Sequence, residues 1–513
     1  MAKRKILFAM RFLTTALVAR LTSAVAAVIA LSVVSPSMTA AQSSGRGTLA
    51  ITHTTVIDVV SGRRLPDRTV IIRDGRITSV GTTDAPRGAK LIDGRGKFVI
   101  PGLWDMHAHL GNDGIATNVF FPLQIANGVT GIREMTSDCY SRPGCEHAMT
   151  IDTVRDWQRG IAAGRIVGPR IVASSPMLDG PTPTWAYAIP LADAAAARAA
   201  VHTFQARGVD FLKVYSLVPR NAFLALADEA RKAHLPFAGH VPIDVSALEA
   251  SNAGMASMEH GHGLQEACSS QDSRLRAEQR RLTDQLIAAK EHNLLVEPMY
   301  VEQAEQAFAT YDEAKCRALY AAFVRNHTAQ VPTLTLLESW AHEHDPRRLR
   351  DPRYRYIPEL IRNSWEAFAD APQADVPNSR AVRAERLQWI QGAVGEMQSA
   401  GVMILAGTEE GGASFIYPGF AIHDELRLLT ESGLTPLEAL QAATISPARF
   451  LHAADSLGTV TAGKRADLVL LDADPLVSIA NTKTIYAVIA DGRLFDRARL
   501  DFLLQRVAAI SAR

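Results

Sequence analysis

PGLWDMHAHL (101–110) is an apolar run that closes on two histidines one residue apart. In an extended segment alternate side chains share a face, so His107 and His109 leave the same side. Four later segments share that texture: DFLKVYS (210–216), PFAGHVP (236–242), SMEHGHG (257–263) and ILAGTEEGG (404–412). Strand-like runs at 98–107, 129–134, 169–174, 209–215, 236–241, 256–260, 293–297, 331–336 and 402–407 alternate with helical patterns such as 191–207, 220–234 and 382–399. Alternation of this kind predicts parallel βα units, an α/β chain folded as a TIM-like (β/α)8 barrel. Nine runs compete for eight places, and either 293–297 or 331–336 is surplus. In such a barrel the chemistry gathers at the C-terminal ends of the strands. The residues that close these runs then meet in space.

Short strands and tight turns flank the barrel on both sides. Asp74-Gly75 separates two alternating runs, and Asp491-Gly492 does the same near the C-terminus; Asp-Gly between such runs signals a hairpin. Segments 42–100 and 454–513 are therefore expected to build one small β-sandwich, the last residues forming a tail. The barrel takes 101–453, with a polar surface insertion near 341–380.

The chain has 513 residues, 47% of them hydrophobic, enough for a large core. Its first 41 residues hold five basic residues and no acid, and without them 49 basic face 53 acidic side chains. That balance leaves no electrostatic footprint for nucleic acid or for an acidic membrane surface. MAKRK, an apolar stretch best between Leu21 and Val34, and small residues Thr39 and Ala41 before Gln42 read as a signal peptide over 1–41. The expected location is periplasmic or secreted, with no membrane attachment after cleavage; a retained N-terminal anchor is the alternative. Four cysteines in an exported chain permit two disulfides. Cys139 and Cys145 flank a Pro-Gly loop and suit a small local ring, leaving Cys268 with Cys316; four unpaired thiols are the alternative.

Lys213 stands in an apolar, β-branched and aromatic run, an unusual place for an ammonium group. Burial there lowers its pKa, and a neutral amine reacts with CO2 to give an anionic carbamate able to bridge two cations. Tyr215 shares its face and is a candidate for binding substrate. His240 and His260 close two successive apolar strands and read as imidazole ligands, with His262 as a competitor for the second place. Glu409 ends the last strand as a metal-touching base, with Glu410 as the alternative. His423 lines the pocket or opens a helix. Four histidines, a strand lysine and a carboxylate suit a two-metal hydrolytic site acting on a small molecule.

These motifs resemble the amidohydrolase superfamily, most closely its imidazolonepropionase-like and prolidase-like branch. PGLWDMHAH is similar to the first-strand signature, FLKVY to the carbamylated-lysine strand, and GHV and MEHG to the fifth- and sixth-strand histidines. AATISPARFLHAADSLGTVTAGKRADLVLLDADP is similar to the return into the sandwich. The resemblance implies two divalent ions, usually zinc, one on His107 and His109 and the other on His240 and His260, bridged by carbamylated Lys213 and a hydroxide. It implies hydrolysis of an amide or peptide bond in a dipeptide, Xaa-Pro or N-acyl amino acid, with the last-strand carboxylate moving the proton. Two departures stand out: the family's last-strand carboxylate is Asp where this chain has Glu409, and the loop after the third strand (SSPMLDGPTPTW) lacks the family's histidine. A mononuclear deaminase or cyclic-amide hydrolase is the second reading. A catalytically weakened barrel that only binds is the third, motivated by Glu409. A homo-oligomer stays open.

Overall fold

The computed structural model describes residues 47–139, 149–288, 304–342, 345–370 and 379–512. The proposed signal segment, the strand run 293–297 and Cys145 lie outside them. Among the described residues no helix is long and apolar enough to cross a membrane.

Strands β1 (Leu49–Asp58), β2 (Arg63–Arg73), β3 (Arg76–Gly81), β4 (Lys90–Asp93) and β5 (Phe98–Pro101) come from the N-terminal side. β14 (Leu468–Leu471), β15 (Ile485–Ala490) and β16 (Arg493–Phe495) come from the C-terminal side. They join in one mixed sheet, β16-β15-β14-β5-β1-β2-β3, with β4 also on β1. Leu468–Leu471 runs antiparallel to Phe98–Pro101, so the segments just before and after the barrel are neighbours in the sheet. The sheet encloses its own core, including Ile51, Val56, Val70, Ile72, Val99, Leu468 and Leu470. Both Asp-Gly pairs turn hairpins as expected, with Asp74, Gly75, Asp491 and Gly492 all at positive φ. The two turns abut, and a Cβ on Gly492 would lie 2.4 Å from Gly75 Cα.

The first barrel segment is two strands rather than one. β5 belongs to the terminal sheet, and β6 (Leu103–Ala108) opens the barrel. Gly102 is the crossing point, where a Cβ would fall 2.0 Å from Thr130 Oγ1. β7 (Val129–Glu134), β8 (Arg170–Asp179), β10 (Phe211–Val214), β11 (Phe237–Gly239), β12 (Ser257–Glu259) and β13 (Ala329–Val331) follow, all parallel. The two-residue β9 (Ile189–Pro190) lies against β8. The extended segment 402–410 closes the ring between β13 and β6 through parallel bridges Gln330–Ile404 and Ala108–Glu410. This is the expected (β/α)8 barrel.

Helices occupy the expected places at Ala194–Ala206, Arg220–Lys232 and Ser379–Ser399. Two expectations need correction. The run 331–336 is a strand only over Ala329–Val331; Thr333 then turns at φ 45° and Leu334–Ala341 is helical. The stretch 341–380 is not merely polar surface. Ile357 and Trp365 pack with Phe415 and Tyr417 into a small aromatic cluster. Finally, Cys268, just after the short helix Leu264–Ala267, is bonded to Cys316 in helix Glu313–Asn326. Cys139 is disulfide-bonded too.

Both members of the Cys268–Cys316 pair are fully buried. Replacing both by serine is expected to cost about 2–5 kcal/mol. Denaturant unfolding of parent and double variant checks this, and a reducing agent should move the parent toward the variant.

Candidate active site

His107 lies near the end of β6 and His109 just beyond it. His240 follows β11 directly, His260 follows β12, and Glu409 sits in the closing segment. Lys213 is inside β10 and 1% exposed. Parallel strands around one barrel bring these ends together. The His107 ring lies 5.4 Å from that of His109 and 4.6 Å from that of His260, which is 4.9 Å from His240.

Each of these four imidazoles is held through Nδ1. His107 Nδ1 meets Glu259 Oε2 at 2.8 Å, His109 meets Thr136 Oγ1 at 3.1 Å, His240 meets Ser216 Oγ at 2.8 Å and His260 meets Thr333 Oγ1 at 2.7 Å. A second partner of this kind fixes ring orientation and frees the other nitrogen to bind. Thr333 Oγ1 already donates to Pro332 O, so it accepts from His260 Nδ1, and His260 Nε2 presents a lone pair. Nε2 of His107, His109 and His260 faces the Glu409 carboxylate at 2.8, 3.3 and 3.6 Å. Glu409 Oε2 is buried and accepts no hydrogen bond. Lone pairs on imidazole set against a carboxylate oxygen repel unless positive charge lies between them. The donor set therefore fits a divalent cation, and ligand atoms of His107, His260 and Glu409 lie within 4.8 Å of one another.

The electrostatics agree. Burial, with neighbouring positive charge, keeps His240 and His260 far below the ordinary histidine value, as neutral imidazoles. Burial brings Lys213 down to about 8.

The carboxylates around the site divide by strand geometry. Glu410 points away from the imidazoles and accepts from Gln124 Nε2 and, at 2.6 Å, from Gly419 N. Of the pair 409/410, only Glu409 faces the cluster. It does so with φ 67°, and His260 and Thr333 also carry positive φ at the neighbouring strand ends. Such backbone costs on the order of 1–3 kcal/mol per residue and persists where the surroundings over-determine it. Gly412 makes room, since a Cβ there would meet Glu409 Oε1 at 2.4 Å and His109 Cδ2 at 2.7 Å.

Several supporting residues escaped the sequence reading. Asp105, fully enclosed, accepts from His107 N and Thr408 N at 3.0 Å and from Thr408 Oγ1 at 2.5 Å, tying the first strand to the closing one. Arg133 crosses the barrel interior. Its Nη2 donates to Glu259 Oε1 at 2.8 Å, Nη1 to Ser257 Oγ at 2.8 Å and Nε to Met106 O at 2.7 Å. Burial pushes Glu259 up, yet Arg133 and His107 hold it down at about 2. A signal existed: Arg133, Glu134 and Glu259 are charged residues inside apolar strand runs, as Lys213 is.

Tyr215 stands beside the cluster, its ring 4.2 Å from His240. His262 stacks on His240 at 4.4 Å rather than replacing His260. His423 does not line the site. Its Nδ1 meets Thr482 Oγ1 and its Nε2 meets Asn127 O, just before β7 begins and so at the opposite end of the strands. Helix Ala421–Glu431 turns this residue inward as packing.

Residues 98–495 match the family model described as the amidohydrolase family. The chain belongs to that family. It superposes on a putative prolidase from Bifidobacterium longum (TM-score 0.62, 23% identity, 90% of this chain and 99% of that one). It also superposes on the bottromycin amidohydrolase (0.68, 23%, 90% and 90%) and on a Xaa-Pro dipeptidase with bound methionine (0.60, 18%, 88% and 100%). At these identities the likeness concerns the fold. Curated relatives match over short stretches. A dihydroorotase from Pelotomaculum thermopropionicum is 42% identical over 66 residues, 13% of this chain and 15% of the relative. An adenine deaminase from Mesorhizobium japonicum is 27% identical over 165 residues, 24% and 27% respectively.

Glu259→Gln should leave Arg133 as a buried, unpaired charge and cost about 3–5 kcal/mol. It should also weaken metal affinity by about 10- to 100-fold, because His107 loses its anionic partner. Thermal melts and metal titration of the variant read the two effects separately. His423 supplies a pH test. Burial, with Lys483 nearby, lowers its folded pKa to about 4. Between pH 6.5 and 4 the unfolded chain binds more protons at this residue, so its contribution falls as pH falls. His423→Gln should therefore lose less stability than the parent across that window in matched unfolding curves.

Proposed function

We propose that this amidohydrolase is an exported enzyme that uses two divalent cations to cleave an amide or peptide bond in a dipeptide, Xaa-Pro or N-acyl amino acid substrate. The observation that carries the reading is the set of four imidazoles, each fixed through Nδ1, three of them facing Glu409, with the buried Lys213 on the neighbouring strand. His107 and His109 would hold one cation and His240 and His260 the other, with Lys213 between them. Zinc suits these donors. Cations bound there supply a Lewis acid for the substrate carbonyl and a water of lowered pKa.

The chain's own groups do the rest. Lys213, brought to about 8 by burial, holds a fraction of free amine at neutral pH. That nitrogen bonds to the carbon of CO2 and releases a proton, leaving an anionic carbamate. Glu409, which faces the imidazole cluster, takes a proton from the attacking water and returns it to the departing nitrogen. Burial keeps the Tyr215 phenol protonated, and its oxygen accepts from Trp185 Nε1 at 3.1 Å, leaving its own proton for substrate. The Cys268–Cys316 bond supports export, because such bonds persist outside the reducing cytosol.

A single-cation site is the second reading, favoured by the close grouping of His107, His260 and Glu409. Elemental analysis of protein purified without chelators separates the two: two ions per chain support the first reading, one supports the second. In the two-cation enzyme Glu409→Gln should lower kcat on dipeptides or acyl-amino acids by at least about 100-fold, the scale of a lost general base. Glu409→Asp should keep measurable turnover. Metal-loaded, CO2-equilibrated protein that cleaves none of these substrates would sink the proposal.

A further inference from the structure

Thr333 stands at the N-cap of helix Leu334–Ala341, where a threonine ordinarily accepts from a backbone N–H of its own first turn. Here it does not. A capping residue that reaches those donors has extended backbone, whereas Thr333 turns at φ 45° and ψ 55°. Its hydroxyl is engaged outside the helix, donating to Pro332 O and accepting from His260 Nδ1. The first donors of the helix are thereby left without their usual acceptor, in an interior where an unpaired N–H is costly.

Glu425 supplies the acceptor. It reaches across from helix Ala421–Glu431, fully buried, and takes Leu334 N on Oε1 at 3.0 Å and Thr335 N on Oε2 at 2.9 Å. Leu336 N is met by Thr333 O at 2.9 Å, so the first turn is satisfied without a capping side chain from its own segment. Thr335 Oγ1 shares its proton between the same carboxylate, at 3.1 Å, and Thr408 O, at 2.8 Å. The cap is thus also tied to the closing segment just ahead of Glu409.

We infer that Glu425 is a positioning residue for the site: by capping this helix from a neighbouring one, it releases Thr333 to hold the His260 imidazole with Nε2 toward the cation site. A carboxylate suits a helix N-terminus, where backbone N–H groups converge. Without it, the nearest acceptor for the orphaned donors is Thr333 itself. A return to extended backbone would cap the helix and relieve a left-handed turn that is unfavourable for a β-branched residue. It would also withdraw the hydroxyl from His260. The consequence for cation binding rests on the metal reading above; the link from Glu425 through Thr333 to His260 stands apart from it.

The test uses the full-length protein with zinc as the probe, titrated in competition with a chromophoric chelator. It compares Glu425→Ala, Thr333→Val and the double variant. Each single variant should weaken at least one zinc-binding step by about 10- to 100-fold, the scale for losing the second partner of a ligating imidazole. The double variant should be no weaker than the weaker single one, because both changes remove the same hold on His260. Losses that multiply, or a folded Glu425→Ala protein that binds zinc like the parent, would overturn the inference, since a purely structural cap lowers the melting temperature without that coupling. Glu425→Gln keeps the volume and one acceptor oxygen. It should show a smaller loss in the same direction, and it carries the cycle if the alanine variant does not fold. A crystal structure of the metal-free Glu425 variant reads the link without zinc. Thr333 should be extended there, with its hydroxyl on its own helix and off His260; Thr333 unmoved overturns the inference. A parent that binds no zinc sinks the metal reading, and the crystal structure then decides this one alone.

Discussion

The guanidinium of Arg133 and the carboxylate of Glu259 meet inside the barrel, each at most 1% exposed, and the geometry of the site hangs on that pair. Neither charge is tolerable there alone, since an isolated ion in a low-dielectric interior costs far more than any packing contact returns. Together they span β7 and β12, and Arg133 also reaches the backbone of β6 through Met106. Glu259 spends its second oxygen on His107. The orientation of one imidazole is thereby fixed by a salt bridge that three strands share. Distortion of any one of them would be felt at His107 Nε2.

On the other side of the ring the constraint is conformational. His260, Thr333 and Glu409 take left-handed backbone at three successive strand ends. Each turn redirects a side chain toward the barrel axis that an ordinary strand exit would carry elsewhere. Glu409 is the informative case. Gly412 leaves room for its side chain, and its carboxylate reaches His107, His109 and His260. Asp105 holds the strand beneath it to β6 through Thr408, which fixes the base from which the Glu409 side chain extends.

Much of this was legible in the sequence, for a physical reason. Parallel barrel strands are buried on both faces, so they read as short apolar runs, and a polar residue closing such a run is conspicuous. His107, His109, His240, His260 and Glu409 are all of that kind, and Lys213 stands out for the opposite reason, a charge within the run. What stayed hidden depends on partners remote in sequence. Arg133 and Glu259 look like interruptions until they are seen to face each other. Asp105 looks like a surface residue next to a histidine pair. His423 carries the right chemistry, but its helix turns it to Asn127 and Thr482. The segment 331–336 mixes an apolar strand with an apolar helix start, and periodicity over so short a stretch does not separate them. The aromatic cluster of Trp365, Phe415 and Tyr417 joins residues from two separate segments and leaves no local trace.

The terminal sheet sets the order in which the molecule can be finished. β5 immediately precedes the barrel and β14 follows it, yet the two lie side by side, with Val99 opposite Leu470. Until β14 arrives, β5 presents an unpaired edge, and β15 and β16 have nothing to extend. The residues in between can form local βα units as they are made, but the ring and the sheet close only after nearly the whole sequence is present. Loop-closure entropy is then met late and all at once. A chain crossing a membrane unfolded would meet that requirement on the far side, where the cysteines can also join.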